Sequence, residues 1–162
     1  MTLTTYGKNM RALSMYGKGR AFLLAAALLN GSMEKRGHRS EATEYVVLHL
    51  LCQGIETALK GLLLLHDFDH WNGRQKKTLG HRLLRVSEET LAAFRQRPLR
   101  GKVRVELAHL DALYRLHRLR YASVQDEVVA PTTIATERTW LRVRAMLRLA
   151  EREMKKVGLL PE

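Results

Sequence analysis

Glu56 and Lys60 stand four residues apart, in the Glu-before-Lys order that closes an ion pair across one helical turn. Such pairs are most often solvated and contribute about 0.3–0.5 kcal/mol on a helix surface. Between the helices of a bundle the same two residues would line a polar pocket. His81 follows Gly80 where a helix is expected to begin, so it can bond neighbouring backbone or join that pocket. His117 lies between Tyr114 and Tyr121 on another apolar stripe, with Arg118 and Arg120 bracketing Leu119, and reads as a core histidine.

Arg104 and His109 have the types needed for metal-independent cleavage of a phosphodiester. The histidine would move a proton and the arginine would hold the phosphate. Arg74 and His81 have a similar spacing. Five positions in a regular helix place two side chains about 140° apart. Arg104 and His109 therefore converge only if the helix starts near Val105, or if a second copy brings another pair to the same phosphate. His66, Asp67, Asp69 and His70 form a dense group of potential ligands, but their spacing matches no zinc motif. A polar loop with histidines near a helix C-terminus explains them as well. The single cysteine, Cys52, excludes an internal disulfide and a Cys-based zinc cluster. No metal and no cofactor is expected. Trp71, beside Arg74, Lys76 and Lys77, could stack on a base or cover the end of a bundle.

The elements that would position these residues are helices. A first helix is predicted near Arg20–Leu29, stopped by Asn30 and Gly31, with residues 1–19 a less ordered N-terminal segment because of Gly17 and Gly19. Ser40 with Glu41 and Glu44 starts a second helix that runs to about His66. Leu48, Leu51, Ile55, Ala58, Leu62 and Leu65 step by three and four along it, and apolar flanks mark it as central. Asp67 to Lys77 reads as a loop. A third helix begins near Thr78, with Leu79, Leu83, Val86 and Phe94 inward and a break at Ser87, and ends at Arg97-Pro98. A fourth spans about Lys102 to Ala122, carrying Val103, Leu107, Leu110 and Tyr114. After a connector from Ser123 to Ala135, Thr136 caps a fifth along which Trp140, Val143, Leu147, Ala150, Met154 and Val157 recur. No segment alternates with period two for long. The expected fold is all-α: one domain, 1–162, an antiparallel up-and-down bundle of four to five helices.

Length and charge bound the function classes. The 162 residues, 46% hydrophobic and 27% charged, are enough for one packed core and argue against wholesale disorder. The net charge is +12. Ten basic residues fall between Arg74 and Arg104, against only Glu88 and Glu89. Arg74, Lys76, Lys77, Arg82 and Arg85 are the candidate nucleic-acid contacts within that stretch. Such a field attracts polyanions, and it equally describes a solvated basic surface. Lys8, Arg11, Lys18 and Arg20 before the apolar run Ala21–Leu29 imitate a signal peptide, but no A-x-A-like cleavage site follows. The longest uncharged stretch, Ala21 to Met33, is shorter than the roughly 20 residues a bilayer requires. A cytoplasmic location without membrane association is expected.

Glu56-x-x-x-Lys60-x-Leu62-Leu63, then Gly80-His81-x-Leu83, then a helix ending Leu119-Arg120-Tyr121, resembles the HEPN family (higher eukaryotes and prokaryotes nucleotide-binding). The resemblance covers roughly Arg20 to Ser123. Arg82 follows the histidine where many members have an acid, and Ala122 follows Tyr121 where proline is common. The resemblance implies a helical bundle, usually a homodimer, and activities from nucleotide binding to RNA cleavage in toxin–antitoxin, defence or stress-response systems. It makes Glu56, Lys60, His81, Arg120 and Tyr121 the ligand-binding candidates. The expected function is binding of RNA or a nucleotide. The alternatives are a metal-independent endoribonuclease using Arg104 and His109, and a protein-interaction module for an acidic partner such as an antitoxin or a nucleotidyltransferase.

Overall fold

The structure is a computed structural model that describes residues 3–36, 41–115, 145 and 148–160. Every regular element among them is helical: α1 (Thr5–Arg36), α2 (Glu41–His66), α3 (Phe68–Arg74), a π turn (Gln75–Leu79), α4 (Leu83–Ala93), α5 (Gly101–Arg115) and helical residues 148–156. The all-α bundle expected from the spacing is the observed architecture.

The first helix is longer than its composition suggests. It starts at Thr5 and passes through Gly17, Gly19 and Gly31 to Arg36, so residues 5–19 are helical and Asn30-Gly31 does not stop it. Glycine costs about 1 kcal/mol relative to alanine inside a helix. Packing outweighs that cost. Ala12, Tyr16, Gly19, Leu23 and Ala26 step by four and three, and all five are buried. Gly19 lies against α2 so closely that a Cβ there would sit 2.4 Å from the Ala58 nitrogen. On α2, a Cβ at Gly61 would meet the Tyr16 nitrogen at 2.8 Å, and one at Gly54 would meet Leu23 Cγ at 2.6 Å. Rising numbers on α1 meet falling numbers on α2, so the two helices are antiparallel.

Helix α2 is central, as its apolar flanks predict: α1, α3, α4 and α5 all pack on it. Leu48, Leu51, Ile55, Ala58 and Leu62 of its seam are buried. Among the described residues, Thr43–His66 is the one helix long and apolar enough to cross a membrane, and it is mostly buried inside the bundle. Cys52 is buried here too, and burial pushes its thiol well above the usual range.

The expected loop from Asp67 to Lys77 is instead helix α3 followed by the π turn. Phe68 and Trp71, three apart, are both buried, and Asp67 caps the helix by accepting from the His70 amide at 3.0 Å. Gly80 then ends the π turn at φ 49°, ψ −134°, a conformation that L side chains rarely adopt. Thr78 and Leu79 are consumed by this turn, so α4 starts at Leu83 rather than Thr78. It runs unbroken through Ser87, which is fully buried. Helix α5 begins at Gly101, close to its expected start. The expected starts of the second and fifth helices, Ser40 and Thr136, and the end of the fourth at Ala122 lie outside the described residues. Residues 148–156 pack back on α1. Glu151 lies 3.3 Å from both the Tyr16 hydroxyl and the Arg20 guanidinium, and Ala150 and Met154 are buried. Burial first, then the Glu151 carboxylate, pushes the Tyr16 phenol up to about 12.

Candidate functional site

The side of α2 that faces away from α1 carries a polar stripe. His49, Gln53, Glu56 and Lys60 step by four, three and four, which keeps them on one face. At the centre Glu56 and Lys60 are both buried, with 4% and 7% of their surface exposed. The expected surface ion pair is therefore an interior one. Lys60 Nζ lies 2.5 Å from Glu56 Oε1 and donates to the Gly80 carbonyl at 2.6 Å. The other oxygen, Glu56 Oε2, accepts from the Tyr114 hydroxyl at 2.6 Å and faces His81 Nδ1 at 3.1 Å. Gln53 Oε1 lies 2.7 Å from the same tyrosine oxygen. A phenol has one proton, and the charged carboxylate is the stronger acceptor.

Burial alone would raise the Glu56 carboxyl. Hydrogen bonds from Lys60, Tyr114 and His81 outweigh burial and hold it below its ordinary value. An ionised carboxylate only accepts, so His81 must carry its proton on Nδ1. The imidazole is thereby held edge-on to the Tyr114 ring at 5.7 Å between centroids, with its side chain about half exposed. Glu56, Lys60 and His81, three of the five predicted ligand-binding residues, are thus brought together. Arg120 and Tyr121, the other two, lie outside the described residues, as does His117.

The sign of the Glu56 shift sets an acid limit. A carboxyl lowered by folding contributes stability that is complete above its unfolded value and disappears as pH falls through the folded one. Thermal melts should be flat from about pH 8 to 5 and fall below about pH 4.5. Glu56→Gln should be less stable at neutral pH and should lose most of that acid slope. An unchanged slope in Glu56→Gln would assign the acid limit to other carboxylates.

The sequence reading missed Gln53 and His49 as members of the site, and it placed Tyr114 only in a core stripe. The half-buried His49 ring lies 5.8 Å from Tyr114. Their signal was the polar recurrence at 49, 53, 56 and 60, beside the apolar seam and hidden by it.

The remaining candidates separate. Arg104 and His109 sit in one continuous helix, about 140° apart around its axis. Both are exposed, and Arg104 pairs with Glu88 at 3.1 Å. The helix starts before Arg104, so the late start that would fold it over His109 does not occur. Arg74 lies 3.1 Å from His70 rather than beside His81. The group from His66 to His70 is accounted for by structure. His66 packs edge-on to Phe94, Asp67 caps α3, and Asp69 pairs with Lys8 at 2.6 Å. Among the described residues no group of histidine, cysteine and carboxylate side chains could hold a metal ion. Trp71 is buried, so it closes the end of the bundle and offers no face to a base.

Arg74, Lys77 and Arg82 are exposed around the loop that carries His81, and Lys76 sits within the π turn. Arg85, on α4, lies 3.9 Å from Glu89. Arg95, Arg97, Arg100, Lys102 and Arg104 continue the exposed basic surface to the start of α5. Comparison of the chain with protein-family profiles, with curated proteins and with solved structures finds no match.

Proposed function

We propose that this protein is a HEPN-type helical module that binds RNA or a nucleotide on the basic surface around His81. The observation that carries the reading is the buried Glu56–Lys60 pair. Burying two charges is expensive unless geometry repays it, and an apolar pair of similar size would serve packing as well or better. Here the pair instead holds a half-exposed histidine and the Gly80 carbonyl at a surface where Lys77 and Arg82 are exposed. Polyanion recognition needs that combination of fixed hydrogen-bonding groups and a positive field.

The test is a titration of labelled single-stranded RNA, and separately of ATP, at several salt concentrations. With about five phosphate contacts, RNA affinity should fall roughly 100-fold between about 50 and 200 mM salt. Lys77→Glu with Arg82→Glu should weaken binding at least tenfold at low salt. His81→Ala should weaken the nucleotide with little change in the salt slope. Failure of both ligands to bind at low salt would overturn the reading and leave an acidic protein as the partner for this surface.

A further inference from the structure

Helix α4 ends in a backbone shape that favours glycine and holds arginine. Phe94 is its C-cap. The Arg95 amide donates to the Ala92 carbonyl at 3.0 Å, and the Gln96 amide donates to the Leu91 carbonyl at 2.7 Å. That pair of bonds is a Schellman motif, whose turning residue is left-handed and usually glycine. Arg95 takes that position at φ 52°. Among the described residues three other positions have positive φ, and each is a glycine: Gly80, Gly101 and Gly158. In the left-handed region an L side chain sets its Cβ against the following carbonyl oxygen. A cation near a helix C-terminus offsets part of that strain through the dipole, but not all of it. Glycine would serve the fold better here.

The strained arginine opens a run of five cations, Arg95 to Arg104, that contains no acid. Lys102 and Arg104 stand in the first turn of α5, where the dipole favours acids and none is present. Departures from local preference that gather at one place point to a use other than folding. The middle of α4 is different. Glu88 meets Arg104 at 3.1 Å, and Glu89 meets Arg85 at 3.9 Å. The excess positive charge therefore lies at the two ends of α4, with Lys77 and Arg82 at one and Arg95, Arg100 and Lys102 at the other. His81, at the first end, faces Glu56. Phe94, next to Arg95, packs on His66, ten positions farther along α2, or about 15 Å away.

We propose that Arg95 is a second phosphate contact, remote from His81, and that its charge is retained at the expense of the backbone strain it carries. The contact rests on the binding proposed above and adds a direction to it: a strand held at His81 continues along α4 to the α4–α5 connection. A guanidinium suits that role because its fork of donors matches phosphate oxygens and its charge does not titrate. ATP carries its phosphates in one cluster, so it satisfies one end of α4 and leaves the other unused.

Thermal melts and fluorescence anisotropy on the full chain test it, with a labelled single-stranded RNA of about ten nucleotides and a salt range of about 50 to 200 mM. Arg95→Gly should melt no lower than the parent, and up to about 2–4 °C higher. It should bind this RNA about fivefold more weakly at the lowest salt, with a salt slope smaller by about 0.7, the share of one phosphate on a single strand. Arg95→Lys keeps both the charge and the left-handed backbone, and should match the parent in melt and in slope. ATP should not distinguish Arg95→Gly from the parent. A lower melt for Arg95→Gly overturns the proposal, because the arginine then serves the fold. So does a slope lost in Arg95→Lys as well, or ATP binding weakened as much as RNA binding, which would mean that the substitution reaches the His81 end through the fold. RNA binding by the parent with no loss in Arg95→Gly overturns this contact alone, whereas a parent that binds no RNA overturns the reading of the whole surface.

Discussion

Glu56→Ala is expected to lower stability by about 3–5 kcal/mol, because it leaves the Lys60 ammonium buried without its countercharge. In a chain of this size that is a drop of roughly 10 °C or more in Tm. Three groups lose the carboxylate at once: Lys60 Nζ, which keeps the Gly80 carbonyl, the Tyr114 hydroxyl, which keeps Gln53 Oε1, and His81 Nδ1. Lys60→Met should cost less. It leaves Glu56 with two donors and removes one bond to Gly80. The double replacement Glu56→Ala with Lys60→Met should cost clearly less than the sum of its parts, since neither charge is then stranded. Urea melts of the four proteins give the cycle. A cost below about 1 kcal/mol for Glu56→Ala would mean that water reaches the pair, as in exposed ion pairs.

Gly19→Ala is expected to cost about 3 kcal/mol, at the upper end of the range for overpacking a close contact. Its added methyl would sit 2.4 Å from the Ala58 nitrogen, and backbone cannot step aside as a flexible side chain can. The two long helices would have to separate, loosening Tyr16 against Gly61 and Leu23 against Gly54. Gly17→Ala, two residues earlier in the same helix, meets nothing and should stabilise by about 0.5–1 kcal/mol. Opposite signs for the same substitution separate the contact from helix propensity. A gain from both would place the α1–α2 packing further apart than described.

Those glycines also explain where sequence reading stopped. Gly17 and Gly19 argue against a helix if counted as propensity, and only the partner helix reveals that Gly19 is a contact position. Local signals worked where local physics decides. The seam from Leu48 to Leu62 announced the central helix because its period needs no knowledge of neighbours. Asp67 was read only as the start of a polar loop, whereas it is the N-cap of α3. The burial of Phe68 and Trp71 chose the cap, and that is a tertiary fact. The site was legible in part. Glu56, Lys60 and His81 stand out by type and by order along the chain. Tyr114 did not, because a tyrosine in an apolar stripe looks the same whether its hydroxyl reaches solvent or a buried carboxylate. Arg104 and His109 satisfied a spacing in one dimension that a continuous helix separates in three.

Lys60 touches the π turn at both ends. Its carbonyl accepts from the Gln75 side chain at 3.0 Å, and its ammonium holds the Gly80 carbonyl. A connection between helices usually opens with little free-energy cost, one residue at a time. This one cannot fray from either end without first breaking a bond to α2, and freeing Gly80 also disturbs the Glu56 pair. The segment from Gln75 to His81 therefore unfolds locally as a unit with the core charges or not at all. Whatever meets Lys77 and Arg82 finds backbone already ordered, and binding does not have to supply the conformational entropy that a loose basic loop would demand.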